Sequence, residues 1–237
     1  MRYLERLLRK LKYGVRCDSE TYLNYLRKLG MEIGERTVIF APRFTEIDET
    51  RPWMIKIGSD VQITHGVTIL THGYDWSVLK GKFGDVLGSV GGVEIGNNVF
   101  ISMNSTILKG VHIGDNVIIG AGSLVNRDVQ ADCVVAGNPL KVICSIDDYH
   151  KKRSDTQYLE ASELVRRYRE VYKKEPDDEA LAEFFWLYTG TGDRYEDIPD
   201  AYKDKMRLIG NKEQSISRLE NNQKMFNTKE DFLRSIT

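Results

Sequence analysis

The chain has 237 residues, 29% of them charged and 41% apolar, with 34 Lys+Arg against 35 Asp+Glu for a formal net charge of −1. That balance excludes a disordered, collagen-like or multi-pass membrane protein, and it leaves no global basic field to hold nucleic acid. Charge is uneven along the chain: residues 31–144 carry 9 basic and 12 acidic side chains, whereas residues 145–237 carry 17 and 20. Two kinds of sequence meet near residue 144.

Residues 1–30 read as a helical segment. Leu4, Leu7, Leu8 and Leu11, then Tyr22, Tyr25, Leu26 and Leu29, follow i, i+3, i+4, i+7 spacing. A helix capping the domain that begins at residue 31, with a solvated basic face, is expected here. The opening MRYLERLLRKLKYG interleaves charge with leucine, unlike a secretory signal. No uncharged apolar run reaches the ~18 residues of a membrane span, so a cytoplasmic location is expected. Cys17, Cys133 and Cys144 lack CxxC spacing and read as free thiols.

From residue 95 an aliphatic residue recurs every six positions: Ile95, Ile101, Ile107, Ile113, Ile119 and Val125. Three positions after each stands Asn98, Asn104, Gly110, Asn116, Gly122 or Asp128, residue types that tolerate positive φ most cheaply. A helix of period 3.6 does not produce this pattern, and neither does plain alternation. Each hexad specifies one short strand and one corner, and three sides close a triangular rung of about 18 residues. Rungs stack at the ~4.8 Å spacing of parallel strands, with the aliphatics inside. Ile57, Ile63 and Ile69 fit the same register, with Asp60, Gly66 and His72 in the corner slot. Ile33 and Ile39 suggest one earlier rung.

Between Ile69 and Ile95 the repeat is interrupted by about 20 extra residues. A glycine-rich excursion over 70–92 from a rigid prism is a candidate binding loop. After residue 144 the pattern becomes helical, with stretches expected around 155–173 and 178–188 and shorter ones around 200–208, 212–226 and 229–236. Asp177 and Asp178 read as helix starts.

The segments IGNNVFISMNSTILKGVHIGDNVIIGAGSLVNRDV and AGNPLKVI resemble the hexapeptide-repeat acyltransferases, most of all the O-acetyltransferases of maltose, galactoside and surface-polysaccharide type. The resemblance covers residues 31–144. It implies a left-handed parallel β-helix, a homotrimer with active sites between subunits, acetyl-CoA as co-substrate without a metal, and a carbohydrate acceptor such as a polysaccharide precursor. The three domains expected are therefore a helical segment at 1–30, a β-helix at 31–144 and a charged helical extension at 145–237.

By motif position the general base of that family is His72. Asp75, three residues on, is the local candidate to orient it, since Gly73 stands where relatives carry an acid. Asp48, in EIDETRPW, resembles an acceptor-binding acid, and His65 is a further candidate to face the acceptor. The resemblance places CoA against Phe100, Met103, Ala121, Arg127, Pro139 and Lys141. Cys144 stands where relatives carry a second base. None of the three cysteines has a base paired to it, so transfer is expected to be direct, in a ternary complex. An amino-sugar or antibiotic nitrogen is the alternative acceptor. Two other uses of the prism are a zinc site of three histidines, for which His65, His72 and His112 are poorly spaced, and a scaffold that only trimerises the tail.

Overall fold

Strands of two or three residues form wherever a hexad supplies an inward aliphatic, and the turn-former after it ends each one. The computed structural model describes the backbone of residues 2–236 and the side chains of residues 8–236, so packing by Leu4 and Leu7 lies outside the described residues. The chain divides into two compact units, Met1–Tyr149 and His150–Thr237, each with its own apolar core.

In the first unit the strands cycle through three faces, building a three-sided parallel coil. The first face stacks Ile33, Ile57, Ile95 and Ile113 in register. The second stacks Ile39, Ile63, Ile101, Ile119 and Val135. The third stacks Ile47, Ile69, Ile107 and Val125. All thirteen aliphatics belong to one core, where only Ile33 is partly exposed. The last strand, Lys141–Ser145, turns back antiparallel on Cys133–Ala136 and closes the second face.

The corners follow the expected chemistry at seven positions. Asp60, Gly66, Asn98, Asn104, Gly110, Asn116 and Gly122 all have positive φ. Two expected corners differ. His72 lies in the strand His72–Gly73, paired with Ser89–Val90, because the chain leaves the coil there. Asp128 does not take positive φ; its carboxylate accepts the His112 N–H at 2.8 Å, and the left-handed residue is Asp132. Between the first two faces the rungs approach so closely that a Cβ on Gly58 would lie 2.5 Å from the Gly96 carbonyl oxygen.

Because Ile101 is packed between Ile63 of the rung before and Ile119 of the rung after, its truncation opens a void inside the stack. Ile101→Ala is expected to cost about 2–5 kcal/mol of unfolding free energy, read as a lower urea midpoint with unchanged slope.

The helices preceding the coil are α1 (Arg2–Tyr13) and α2 (Ser19–Leu29). In α2, Asp18 caps the start by accepting the Thr21 N–H at 2.8 Å, and Gly30 ends it in the left-handed conformation. Its Tyr22, Leu23 and Leu26 join the core of the coil. The excursion contains α3 (Trp76–Phe83), which buries none of its side chains.

The long helix α4 (Ile146–Tyr172) begins nine residues earlier than its pattern suggested. In the second unit α5 (Asp200–Arg207), α6 (Lys212–Glu220) and α7 (Lys229–Arg234) follow. The α-helix expected over 178–188 is instead a run of tight turns ending in a 3-10 turn, Phe185–Leu187. The reason is burial. Leu181, Phe185, Leu187 and Tyr188 are all in the core, whereas an α-helix would turn Leu187 away from the other three. Among the described residues no helix is long and apolar enough to cross a membrane.

Candidate active site

The third side of the first rung decides the site. Ile47 pairs with Ile69 of the next rung, and the Asp48 N–H donates to the Ile69 carbonyl at 3.0 Å. Two residues separated by 24 positions are thereby brought side by side: His72 Nδ1 and Asp48 Oδ2 are 2.6 Å apart. Both side chains are largely buried, at 12% exposure for His72 and 3% for Asp48.

Both oxygens of the Asp48 carboxylate are engaged. Its Oδ1 accepts from the Thr50 N–H at 3.0 Å and the Thr50 hydroxyl at 2.6 Å. Its Oδ2 accepts from the Thr71 N–H at 3.3 Å and from the Thr71 hydroxyl, besides His72. Burial pushes this carboxyl up, but the hydrogen bonds from Thr50, Thr71 and His72 outweigh it and hold the group well below the usual carboxylate range. An ionised carboxylate only accepts, so the proton of the pair sits on His72 Nδ1; in the neutral ring the lone pair is then on Nε2. The ring is held by Asp48 on one side and meets Tyr74 edge-on, 5.2 Å between centroids, on another. The Gly91 N–H donates to the Thr71 carbonyl at 2.9 Å, and Lys109 Nζ donates to Ser89 Oγ; both pin the base of the excursion.

This corrects two expectations. Asp75 does not orient His72: it precedes α3, is exposed, and makes no bond to the ring. Asp48 is not open to an acceptor; its oxygens are filled by the protein's own donors. Local spacing pointed to Asp75, but the coil's 22-residue offset between Ile47 and Ile69 places Asp48 against His72 instead.

The remaining candidates lie on other parts of the prism. The excursion with His72 leaves between the third and first faces. His65, Met103 and Ala121 stack on the edge between the second and third faces. There the Asn104 N–H donates to the His65 carbonyl at 2.9 Å, and the Gly122 N–H to the Met103 carbonyl at 2.8 Å. His65 packs against Phe44, 4.7 Å between ring centroids. Phe100 points outward from the second face beside Gln62 and Ile118. Arg127 donates to the Leu140 carbonyl, so it meets the turn that carries Pro139 and Lys141 at the end of the coil. Lys141 is exposed at the start of the last strand. Within one chain, then, Arg127, Pro139 and Lys141 are neighbours, and so are Met103 and Ala121. His72 and His65 occupy different edges, and His112 Nδ1 faces Glu94 at 3.1 Å on the first face. Among the described residues no group of three or more His, Cys, Asp or Glu could hold a metal ion.

The family model for bacterial transferase hexapeptide, six repeats, matches residues 92–127. Protein CapG of Staphylococcus aureus is 37% identical over 153 residues, which is 63% of this chain and 83% of that protein. The chain belongs to the hexapeptide-repeat acyltransferase family. YvoF of Bacillus subtilis (strain 168) is 33% identical over 131 residues, 55% of this chain and 68% of that protein. A solved structure of galactoside acetyltransferase in complex with coenzyme A is 28% identical and covers 62% of this chain and 82% of that one, at a TM-score of 0.43.

Sequence reasoning missed Thr50 and Thr71, the donors that fill the Asp48 carboxylate. The signal was present in weaker form. Ile47 follows Ile39 by eight positions instead of six, and recognising it as an inward aliphatic would have aligned 48–50 with 70–72.

Proposed function

We propose that the chain is an acetyl-CoA-dependent O-acetyltransferase acting on a sugar hydroxyl of a polysaccharide precursor or related glycan. The observation that carries this is the Asp48–His72 pair, which engages Nδ1 at 2.6 Å and leaves Nε2 free of any protein partner among the described residues, so that in the neutral ring it is Nε2 that can accept a proton. A sugar hydroxyl is protonated at neutral pH and attacks poorly. Nε2 takes that proton as the oxygen attacks the thioester carbonyl. The tetrahedral intermediate then collapses, expelling the CoA sulfur, which takes a proton back. General-base assistance of this kind contributes about 10²–10⁴ in rate, and holding both substrates in one groove supplies proximity. No acyl-enzyme is needed.

CoA binding is assigned to Phe100, Met103, Ala121, Arg127, Pro139 and Lys141, with the two cations facing its phosphates. His65 is kept as an acceptor contact. His72 and the Met103–Ala121 edge lie on different corners of one prism, so a groove that uses both requires a second chain. This supports a homotrimer with sites between subunits; a left-handed winding of the coil and a cytoplasmic location are part of the same proposal.

Two measurements test the proposal. Saturating CoA is expected to raise the melting temperature; at a concentration near 100 Kd the stabilisation is roughly 2.7 kcal/mol. No shift would favour a non-catalytic scaffold. A screen of nucleotide- and lipid-linked sugars against acetyl-CoA, read by CoA release, is expected to yield an acceptor whose product carries an O-acetyl group. A product acetylated on nitrogen would overturn the choice of hydroxyl.

A further inference from the structure

The strand that leads into Asp48, Glu46–Ile47, is the last of its face: it has a partner in Thr68–Ile69 and, among the described residues, none on its other side. An edge strand of two residues has little of its own to hold it in register. Yet the 2.6 Å contact between Asp48 and His72 depends on that register. The open side is met by Arg16, from the turn between α1 and α2. Its Nη1 donates to the Thr45 carbonyl at 2.7 Å and to the Pro42 carbonyl at 3.3 Å. Its Nη2 donates to Glu49 Oε1 at 2.8 Å. Glu49, the neighbour of Asp48, also accepts from Tyr22 at 2.9 Å and from Tyr25 at 3.1 Å. Tyr22 is fully buried, and its ring lies 4.7 Å from the Arg16 guanidinium.

One arginine therefore grips the chain on both sides of Asp48, at residue 45 by its backbone and at residue 49 by its side chain. Such a fork is specific to guanidinium geometry; a lysine offers a single point charge. Burial pushes the Tyr22 hydroxyl well above its ordinary range, so it stays protonated and remains a donor to Glu49. Asp48 itself is bonded to Thr50, Thr71 and His72; Arg16, Tyr22 and Tyr25 meet the chain on either side of it, at Thr45 and Glu49.

We infer that Arg16 and Glu49, with Tyr22 and Tyr25, are positioning residues that set the Asp48–His72 pair, which makes the segment between α1 and α2 part of the catalytic apparatus. The inference rests on the reading of His72 as general base, and its test separates the two. In the full chain, the proton shared by His72 Nδ1 and Asp48 should give a downfield proton NMR resonance, assigned by its absence in His72→Asn. Arg16→Ala and Glu49→Gln are expected to shift or broaden that resonance and to lower kcat at least about fivefold, with KM for acetyl-CoA within about twofold. Glu49→Gln keeps the size of the side chain and one acceptor oxygen, so it serves if Arg16→Ala folds poorly. A resonance unmoved in Glu49→Gln overturns the inference, whatever happens to stability. A fall in kcat with the resonance in place also overturns it, because the effect then bypasses the pair. If the resonance moves but no acceptor is ever acetylated, the clamp stands and the acetyl-transfer reading fails instead.

Discussion

His72→Asn is expected to lower turnover by at least about a hundredfold while CoA affinity stays within about twofold. The substitution is chosen for what it keeps. The carboxamide nitrogen of Asn sits near the place of Nδ1 and still donates to Asp48, so the buried carboxylate keeps its partner and the rung its register. What is lost is Nε2, the one group of the pair with a free lone pair. CoA candidates such as Arg127 and Lys141 make no contact with His72, so ground-state binding of the co-substrate has no reason to change. Single-turnover kinetics with acetyl-CoA and calorimetric CoA binding measure the two quantities. Near-normal turnover would show that another group removes the proton, and a parallel loss of CoA binding would show that His72 is a binding residue instead.

The part of the molecule legible in advance is the part governed by a repeated local rule. An inward aliphatic and a turn-former every six residues fix strand, corner and register together, and seven of the nominated corners take positive φ as chemistry demands. The site was legible only in half. His72 is marked by where it leaves the repeat, but its partner comes from the rung below, across an irregular side where Ile39 and Ile47 are eight apart and Pro52–Met54 adds a 3-10 turn. Extra residues at a corner break the six-residue count without breaking the stack, because a corner can bulge outward while the aliphatics stay in line. Arg16 illustrates a second limit. Its contacts span 26 to 33 positions, and nothing in its own neighbourhood distinguishes it from the other basic residues of the first segment. The tail shows a third. Leu181, Phe185 and Tyr188 carry helical spacing, but tertiary packing also claims Leu187, and the backbone yields to it.

Asp48→Asn is expected to cost turnover on the order of 10²–10⁴, comparable to the loss when a carboxylate that fixes a catalytic histidine's tautomer becomes an amide in a Ser-His-Asp triad. The hydrogen-bond inventory explains why the amide cannot substitute. Both oxygens of Asp48 accept, Oδ1 from Thr50 and Oδ2 from Thr71 and His72. An amide has one oxygen, so its NH₂ faces either Thr50 or the Thr71–His72 side. In the second orientation it donates to Nδ1, which moves the ring proton to Nε2 and removes the base. In the first it confronts the Thr50 N–H, leaving a buried donor unmatched at about 1–3 kcal/mol. Stability therefore falls as well, but with a characteristic dependence on pH. Asp48 titrates below the ordinary carboxylate value of about 3.9, held down by its donors against the opposing effect of burial. A carboxyl lowered in the folded state contributes stability that is present above its unfolded value and lost as pH falls through the folded one. The wild-type protein should lose that contribution on acidification below about pH 4, whereas Asp48→Asn, having nothing to titrate there, should show a flatter acid limb and a stability deficit that narrows toward low pH. Urea midpoints measured from pH 7 down to pH 3 test this directly; a deficit of constant size across that range would mean that Asp48 contributes shape alone and that its charge is not what holds the histidine.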